Sequence, residues 1–196
     1  TANHVLGPAK RVMVRTSGGR IVEAKIRLRD LQTDLALLEI AEDLVPVRLA
    51  KNAELGMPVC AIGNSFGLDL SLTCGVVSAL AVSGTGFNPI EDFVQTDAAV
   101  NPGMSGGALV DSTGALVGLL SAIFTKQSDS NIGVNFAVSA PLLRTVLSDY
   151  QLQGRVVRIR PGVLVRPSLQ TGQTGMLGAR IVRVEEDRAE EKAGLM

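Results

Sequence analysis

One short segment concentrates the residue types that nucleophilic catalysis requires. Ser105 stands in the sequence Asn-Pro-Gly-Met-Ser-Gly-Gly, which runs from residue 101 to 107 and holds three glycines. Glycine permits positive φ values, so a loop of this composition can turn its backbone amides toward one point. Such amides stabilise the negative charge that develops on an attacked carbonyl oxygen. Read alone, the segment fits a plain Gly/Ser turn equally well, but not a phosphate loop, because no Gly-Lys-Ser/Thr follows.

A serine nucleophile needs a base, and the sequence contains a single histidine, His4. Residues 103–107 also match Gly-x-Ser-x-Gly, the nucleophile turn of α/β-hydrolases, but those enzymes carry their histidine after the serine. His4 precedes every candidate serine, and the order His4, Asp34, Ser105 is that of the chymotrypsin arrangement. Each partner also has a structural interpretation. A lone histidine is more often structural than catalytic, and Asp34 would serve as a cap where an apolar strand begins.

The elements that must position these residues are mostly short strands. β-branched and aliphatic stretches recur between Gly, Pro, Asn and Ser, a pattern typical of an all-β sandwich or barrel. The predicted strands are Arg11–Thr16, Arg20–Arg29, Thr33–Ile40, Pro58–Ile62, Leu70–Leu80, Phe93–Thr96, Ala115–Phe124 and Gly133–Val138.

Helical periodicity becomes clear only after Ser139. Ser139 can cap a helix, Pro141 suits its first turn, and leucine and valine then recur at helical spacing as far as Tyr150. Beyond a polar linker, Val156–Val165 and Ala179–Val184 are predicted as strands and Arg188–Ala193 as a helix start. Two strands and one helical turn cannot bury a core of their own, so this second part is expected to be a piece of a domain.

Charge and composition exclude several classes of function. Nineteen basic and nineteen acidic residues cancel, and no Lys/Arg run is present, so nucleic acid is not an expected partner. No apolar run reaches the roughly 20 residues of a membrane span. No secretory signal opens the chain, so such a signal is expected to be absent or to lie upstream. No cofactor and no metal site are predicted.

Cys60 and Cys74 are too few for a disulfide framework, and neither lies in a Cys-x-x-Cys motif or near a histidine. The favoured interpretation is two buried thiols. The alternative is a bridge across the hairpin that residues 64–69 would turn.

Longer motifs resemble the HtrA/Deg family of trypsin-like serine proteases. Residues 1–5, Thr-Ala-Asn-His-Val, are similar to its Thr-Asn-Asn-His-Val turn. Residues 59–68 and 75–79 resemble Ala-Ile-Gly-Asn-Pro-Phe-Gly-Leu and Gly-Ile-Val-Ser. Residues 95–107 resemble Gln-Thr-Asp-Ala-x-x-Asn-Pro-Gly-x-Ser-Gly-Gly, and residues 132–138 resemble the strand before the closing helix. Together these matches span most of residues 1–150.

The resemblance implies a mechanism. Ser105 would attack the scissile carbonyl, His4 would carry the proton, and Asp34 would orient the imidazole. The amides of Gly103 and Ser105 would form the oxyanion hole. Ser121, Ala122 and Ile123 would pair with substrate backbone and line the primary pocket. Because Ile123 is apolar and no acidic residue is evident there, we expect small aliphatic side chains before the cut bond.

The resemblance also implies a domain plan. A trypsin-like two-barrel protease domain is expected over residues 1–150, with a first barrel over about 1–52 and a second barrel plus helix over about 53–150. A linker over 151–160 and part of a PDZ domain over 161–196 would follow. PDZ domains take a peptide terminus by adding it as a strand. The family further implies unfolded protein or peptide substrates, a role in protein quality control, a periplasmic or cell-envelope location, and a homotrimer for the longer protein.

Ala108 replaces a Pro that follows the glycines in the family pattern, and two further features depart from it. Met104 replaces the usual Asn before the nucleophile, and it cannot supply the hydrogen bonds of that Asn. A trypsin-like first barrel also needs two strands before the histidine turn, but only three residues precede His4. We therefore expect an incomplete first barrel, an incomplete PDZ domain, and weak or no activity from this stretch by itself. The alternative function is a non-catalytic chaperone or adaptor that binds exposed segments.

Overall fold

The computed structural model describes residues 1–123, 133–158, 162–168, 178–184 and 192–194. The described residues form mainly β structure, which confirms the predicted class. The backbone divides into two compact units, Thr1–Val156 and Val157–Met196, which are described separately.

The first unit opens with a small antiparallel sheet. Helix α1 (Asn3–Leu6) precedes three strands, which are β1 (Val12–Arg15), β2 (Ile21–Asp30) and β3 (Leu35–Ile40). The strands lie in the order β1-β2-β3, and Ala2 forms an isolated bridge with Leu35. The turn that carries His4 is thereby attached beside the start of β3. The predicted incomplete first barrel corresponds to this three-stranded sheet.

A closed six-stranded barrel follows. Its strands are β4 (Pro58–Asn64), β5 (Leu70–Val82), β6 (Phe93–Thr96), β7 (Ala108–Asp111), β8 (Leu116–Ile123) and β9 (Asn135–Ser139). They pair in the order β4-β5-β6-β9-β8-β7. The sequence predicted five of these strands but missed β7, a four-residue strand directly after the glycine-rich segment. Closure leaves few free strand edges, so the loops at the barrel ends can be held firmly.

Two hydrophobic clusters hold the first unit together. One fills the barrel interior and includes Val59, Val77 and Leu120, all at most 1% exposed. The other joins β3 and the outer face of the barrel to the closing helix, through Leu35, Phe93 and Val146 among others. The alternation of side chains along each strand divides them between the barrel interior and its outer face, because successive residues of a strand face opposite sides.

The favoured interpretation of the cysteines is wrong. Cys60 on β4 and Cys74 on β5 are directly opposite each other and form a disulfide bond. Side chains at paired positions of an antiparallel ladder lie close enough to bridge, and the register of this hairpin could not be read from spacing alone.

Helix α2 (Ala140–Gln153) closes the first unit as predicted, with Leu142 N–H donating to the Ser139 hydroxyl at 3.2 Å. It continues to Gln153, three residues into the segment predicted as linker. No helix within the described ranges is long and apolar enough to cross a membrane.

In the second unit, β10 (Val163–Ser168) and β11 (Gly178–Val184) pair antiparallel. The strand predicted from Val156 begins only at Val163, so its first part was placed too early. Most of the predicted helix start at Arg188–Ala193 lies outside the described residues, as do Phe124, which ends a predicted strand, and Ile132, which begins the motif over residues 132–138.

Candidate active site

His4 and Asp34 form a close pair at the edge of the first sheet. Asp34 Oδ2 lies 2.5 Å from His4 Nδ1, and Asp34 Oδ1 accepts the His4 backbone N–H at 2.8 Å. The His4 side chain is 50% exposed, whereas the Asp34 side chain is 13% exposed. Because an ionised carboxylate only accepts hydrogen bonds, the shared proton lies on Nδ1. In this tautomer Nε2 carries no proton and can act as a base.

The turn before β3 presents the Asp34 carboxylate. Thr33 is fully buried and its hydroxyl donates to Asp30 Oδ2 at 2.6 Å, which closes the turn from inside. Asp34 itself has φ of 58°, an uncommon value that Asp tolerates better than most residues. Its carbonyl oxygen accepts the Asn3 N–H at 2.8 Å. The helix turn that carries His4 is thus fastened to the same residue that pairs with the imidazole.

Ser105 follows a tight turn of the backbone. Met104 N–H donates to the Asn101 carbonyl oxygen at 3.1 Å, Pro102 holds the second position, and Gly103 has φ of 95°. These are the features of a type II turn, which requires positive φ at its third residue. A Cβ atom on Gly103 would lie 2.4 Å from the Asn64 carbonyl oxygen, so only glycine fits.

Two backbone amides beside Ser105 remain available. Phe66 N–H donates to the Pro102 carbonyl oxygen at 2.7 Å. The peptide between Pro102 and Gly103 is trans, so the Gly103 N–H points away from Phe66. Within the described part of the chain, neither the Gly103 nor the Ser105 N–H donates a hydrogen bond. Free amides at these two positions are what the sequence predicted for an oxyanion hole.

The predicted triad residues line one cleft of roughly 520 Å³. In this structure the Ser105 hydroxyl donates to the Ser121 carbonyl oxygen at 3.3 Å, and among the described residues His4 is not its partner. The Ser121 hydroxyl donates to Asp34 Oδ2 at 3.4 Å. Ser121 therefore contacts both Ser105 and Asp34, whereas the sequence assigned Ser121 only to substrate binding.

Three further residues of the cleft were missed from the sequence: Leu31, Phe87 and Asn88. Asn88 and Phe87 belong to the loop over residues 83–91, and the Asn88 side-chain N–H donates to the Thr33 carbonyl oxygen at 3.2 Å. Phe87 packs against Phe93 and Phe136, with ring centroids 6.4 and 5.8 Å apart. Leu31 is mostly exposed and precedes Asp34 by three residues. Its position in the same turn as Asp34 was the one feature of the sequence that could have placed it in the cleft.

The loop over residues 83–91 is held by the Glu91 carboxylate. It accepts the N–H groups of Thr85, Phe87 and Asn88 at 2.7, 2.8 and 3.1 Å, and the Thr85 hydroxyl at 2.7 Å. Burial would raise the pKa of Glu91, but the hydrogen bonds from Thr85, Asn88 and Phe87 outweigh burial and leave the pKa lowered. An ionised Glu91 therefore stabilises one wall of the cleft.

The backbone at Ala122 and Ile123 offers a strand edge beside the cleft. On one side these residues pair with Phe136 and Asn135 of β9. On the other side the pairing of β8 with β7 ends at Leu119, and within the described ranges no strand continues it. Such an edge can accept an extended peptide as an added strand.

Within the described residues, no group of three or more His, Cys, Asp or Glu side chains could hold a metal ion. The polar groups of the cleft are one imidazole, one carboxylate, the Asn88 side-chain amide, serine hydroxyls and backbone amides. This set is suited to acyl transfer by a serine nucleophile.

Comparison with known proteins agrees with this geometry. Residues 1–119 match the family model described as a trypsin-like peptidase domain. The periplasmic serine endoprotease DegP of Salmonella typhimurium is 39% identical over 168 residues, which cover 84% of this chain and 35% of that protein. A probable periplasmic DegP-like serine endoprotease of Marinomonas is 39% identical and covers the whole chain and 43% of the relative. The chain thus spans less than half the length of these curated relatives.

A solved structure of the HtrA-type protease AlgW with a tripeptide aligns with the whole chain at a TM-score of 0.86 and 36% identity, over 67% of that protein's chain. This match confirms the predicted trypsin-like architecture, with a six-stranded barrel and a closing helix. The chain therefore belongs to the trypsin-like peptidase family, in its HtrA/DegP branch.

Proposed function

We propose that the protein is a serine endopeptidase in which His4, Asp34 and Ser105 form the catalytic triad. The observation that carries this proposal is the 2.5 Å pair of His4 and Asp34 in the same cleft as Ser105. Ser105 Oγ leaves the Ser121 carbonyl oxygen and turns toward Nε2 of His4. The bond that it gives up, at 3.3 Å, is long for an O–H donor, so the rotation costs little.

The reaction proceeds by acyl transfer. Ser105 Oγ bonds to the scissile carbonyl carbon while its proton passes to Nε2, and the carbonyl oxygen becomes an oxyanion. The Gly103 and Ser105 amides stabilise this oxyanion, and each such donor typically contributes about 2.7–4 kcal/mol. The C–N bond then breaks as Nε2 returns the proton to the leaving amine. Water repeats the sequence on the acyl-enzyme and frees Ser105. Asp34 stabilises the imidazolium in both halves.

Substrates are extended segments of unfolded proteins. A substrate that adds to the backbone edge at Ser121, Ala122 and Ile123 must itself be extended, and folded proteins seldom expose such a stretch. We propose a preference for small aliphatic side chains before the cut bond. A peptide library that favoured Lys or Arg there would contradict this assignment.

We further propose that the protein acts in protein quality control in the periplasm or cell envelope. The support is that relatives such as the Salmonella and Marinomonas proteins are described as periplasmic serine endoproteases. Residues 161–196 are proposed to belong to a PDZ module, which would bind peptide termini, and the longer protein to form a homotrimer.

The proposed activity is tested with casein, which lacks a stable fold, and with a folded protein as control. We expect the longer protein that contains these residues to cleave unfolded casein, the folded control to be cut far more slowly, and Ser105→Ala to abolish cleavage of both. The matched variant Ser112→Ala changes an exposed serine outside the cleft and should cleave at the wild-type rate. A protein that binds unfolded casein without cutting it faster than its Ser105→Ala variant would instead be the non-catalytic adaptor.

A further inference from the structure

Met104, directly before the nucleophile, makes two bonds to one residue. Its N–H donates to the Asn101 carbonyl oxygen at 3.1 Å, and its sulfur accepts the Asn101 N–H at 3.4 Å. Both polar groups of the Asn101 backbone are thus paired with Met104 across the turn. A thioether is a weak acceptor, but a distance of 3.4 Å suits the larger radius of sulfur.

The Met104 side chain is also fixed in the barrel interior. It is fully buried and belongs to the interior cluster with Val59, Ala61 and Leu109. It lies against Gly63, where a Cβ atom would come within 3.0 Å of Met104 Cα and Cβ. A flexible thioether fills such a confined space without strain. The sulfur therefore reaches Asn101 from a position that core packing holds.

The orientation of one peptide depends on this turn. In a type II turn the central peptide, here between Pro102 and Gly103, is rotated by roughly half a turn relative to a type I turn. Only one of the two orientations lets the Pro102 carbonyl oxygen accept from the Phe66 N–H, and it turns the Gly103 N–H to the opposite side of the peptide. A bond that holds the ends of the turn therefore favours the competent orientation.

We infer that Met104 is a positioning residue for the oxyanion hole, whose sulfur clamps the Asn101 end of the turn that presents the Gly103 amide. The inference rests on the proposed function for its catalytic consequence, but the clamp itself is independent of catalysis. The replacement of the usual Asn by Met104 was expected to remove hydrogen bonds at this position. The Met104 thioether instead accepts one from the Asn101 N–H.

The test compares two Met→Leu variants. Met104→Leu keeps the volume and removes the acceptor, whereas Met57→Leu makes the same change in a residue that packs against the same cluster but bonds only through its backbone. We expect Met104→Leu to lower kcat about tenfold with KM unchanged, and to weaken binding of a peptidyl boronate similarly. Met57→Leu should stay within twofold of wild type. Met104→Asn, which restores a polar acceptor, should recover part of kcat.

Backbone hydrogen exchange is a second measurement of the clamp, and it does not depend on catalytic activity. The Asn101 amide should exchange about tenfold faster in Met104→Leu than in wild type and Met57→Leu, with the melting temperatures of all three alike. Unchanged exchange at Asn101, or a kcat equal to that of Met57→Leu, would overturn the inference. A wild-type protein that hydrolyses nothing would count against the proposed function, and the exchange result would still decide on the clamp.

Discussion

At the scale of single residues, the cleft depends on a few backbone conformations that side-chain identity permits. Gly103 is the sharpest case, because its φ of 95° and its distance from the Asn64 carbonyl oxygen both exclude a side chain. The proposed oxyanion hole needs that conformation, since the same peptide carries the Gly103 amide.

We predict that Gly103→Ala lowers kcat about a hundredfold or more and leaves KM within a few-fold, because one oxyanion donor is displaced. Steady-state kinetics on a peptide substrate would measure both constants. Gly114→Ala is the control, because Gly114 also has positive φ but nothing lies within 4 Å of its added Cβ. Equal loss of kcat in the two variants would mean that strain, and not the oxyanion hole, explains the effect.

The proposed triad could be named from sequence because a single histidine left one choice of base. Their neighbours in the cleft were not. Phe87 and Asn88 reach it only because Glu91 folds their loop, and that fold depends on hydrogen bonds to three backbone amides. The double role of Ser121 likewise depends on the distance between β8 and Asp34, which no local pattern encodes.

At the scale of elements, the hairpin of β4 and β5 is cross-linked by Cys60 and Cys74. A bridge that closes a loop of this length, 14 residues apart in sequence, typically stabilises by about 3 kcal/mol. We predict that dithiothreitol lowers the free energy of unfolding in urea by about that amount. The Cys60→Ala/Cys74→Ala variant should already have the lower stability and show no response to dithiothreitol. Equal stability with and without the reductant would contradict the bridge.

The loop over residues 83–91 should respond to pH through Glu91. Its lowered pKa means that ionised Glu91 favours folding above the ordinary pKa of 4.5, and that this contribution is lost as pH falls through the lowered value. We predict that Glu91→Gln costs about 1–3 kcal/mol at neutral pH and that the difference from wild type shrinks toward pH 3. Urea unfolding across pH measures it, with the exposed Glu54→Gln as control. A stability difference between wild type and Glu91→Gln that stays constant across pH would contradict the role given to the Glu91 carboxylate.

Elements with a clear hydrophobic periodicity could be predicted from sequence, whereas features that depend on pairing between distant strands could not. The helix after Ser139 was visible because cap, proline and apolar spacing agreed. Strand β7 was missed because only four residues lie between the glycine pair and the next turn. The disulfide was missed for the related reason that it depends on register, which two partner strands decide together.

At the scale of the whole molecule, the first unit holds its own core. Among the residues that the structure describes, both hydrophobic clusters consist of residues up to Val156. We therefore predict that a chain ending at Val156 keeps its cooperative unfolding, with a melting temperature within about 4 °C of the full chain, the shift that 1 kcal/mol produces at this size. Calorimetry measures this. Loss of the transition would mean that the second unit is needed for the first to fold.

The domain plan drawn from sequence remains a prediction, and in the second unit two strands give little periodic signal. In the first unit, the architecture followed from many short strands and one capped helix. The placement of His4 beside Asp34 could be expected only from the likeness to a family. No local sequence pattern relates two residues that are 30 positions apart.

The central claim is that Ser105 is a nucleophile activated by His4. Its most direct measurement is covalent labelling with a fluorophosphonate, followed by mass spectrometry of the modified peptide. The account predicts a single label on Ser105, and a labelling rate more than about a thousandfold lower in His4→Ala. Labelling of His4→Ala at the wild-type rate, or a label on another serine, would contradict it.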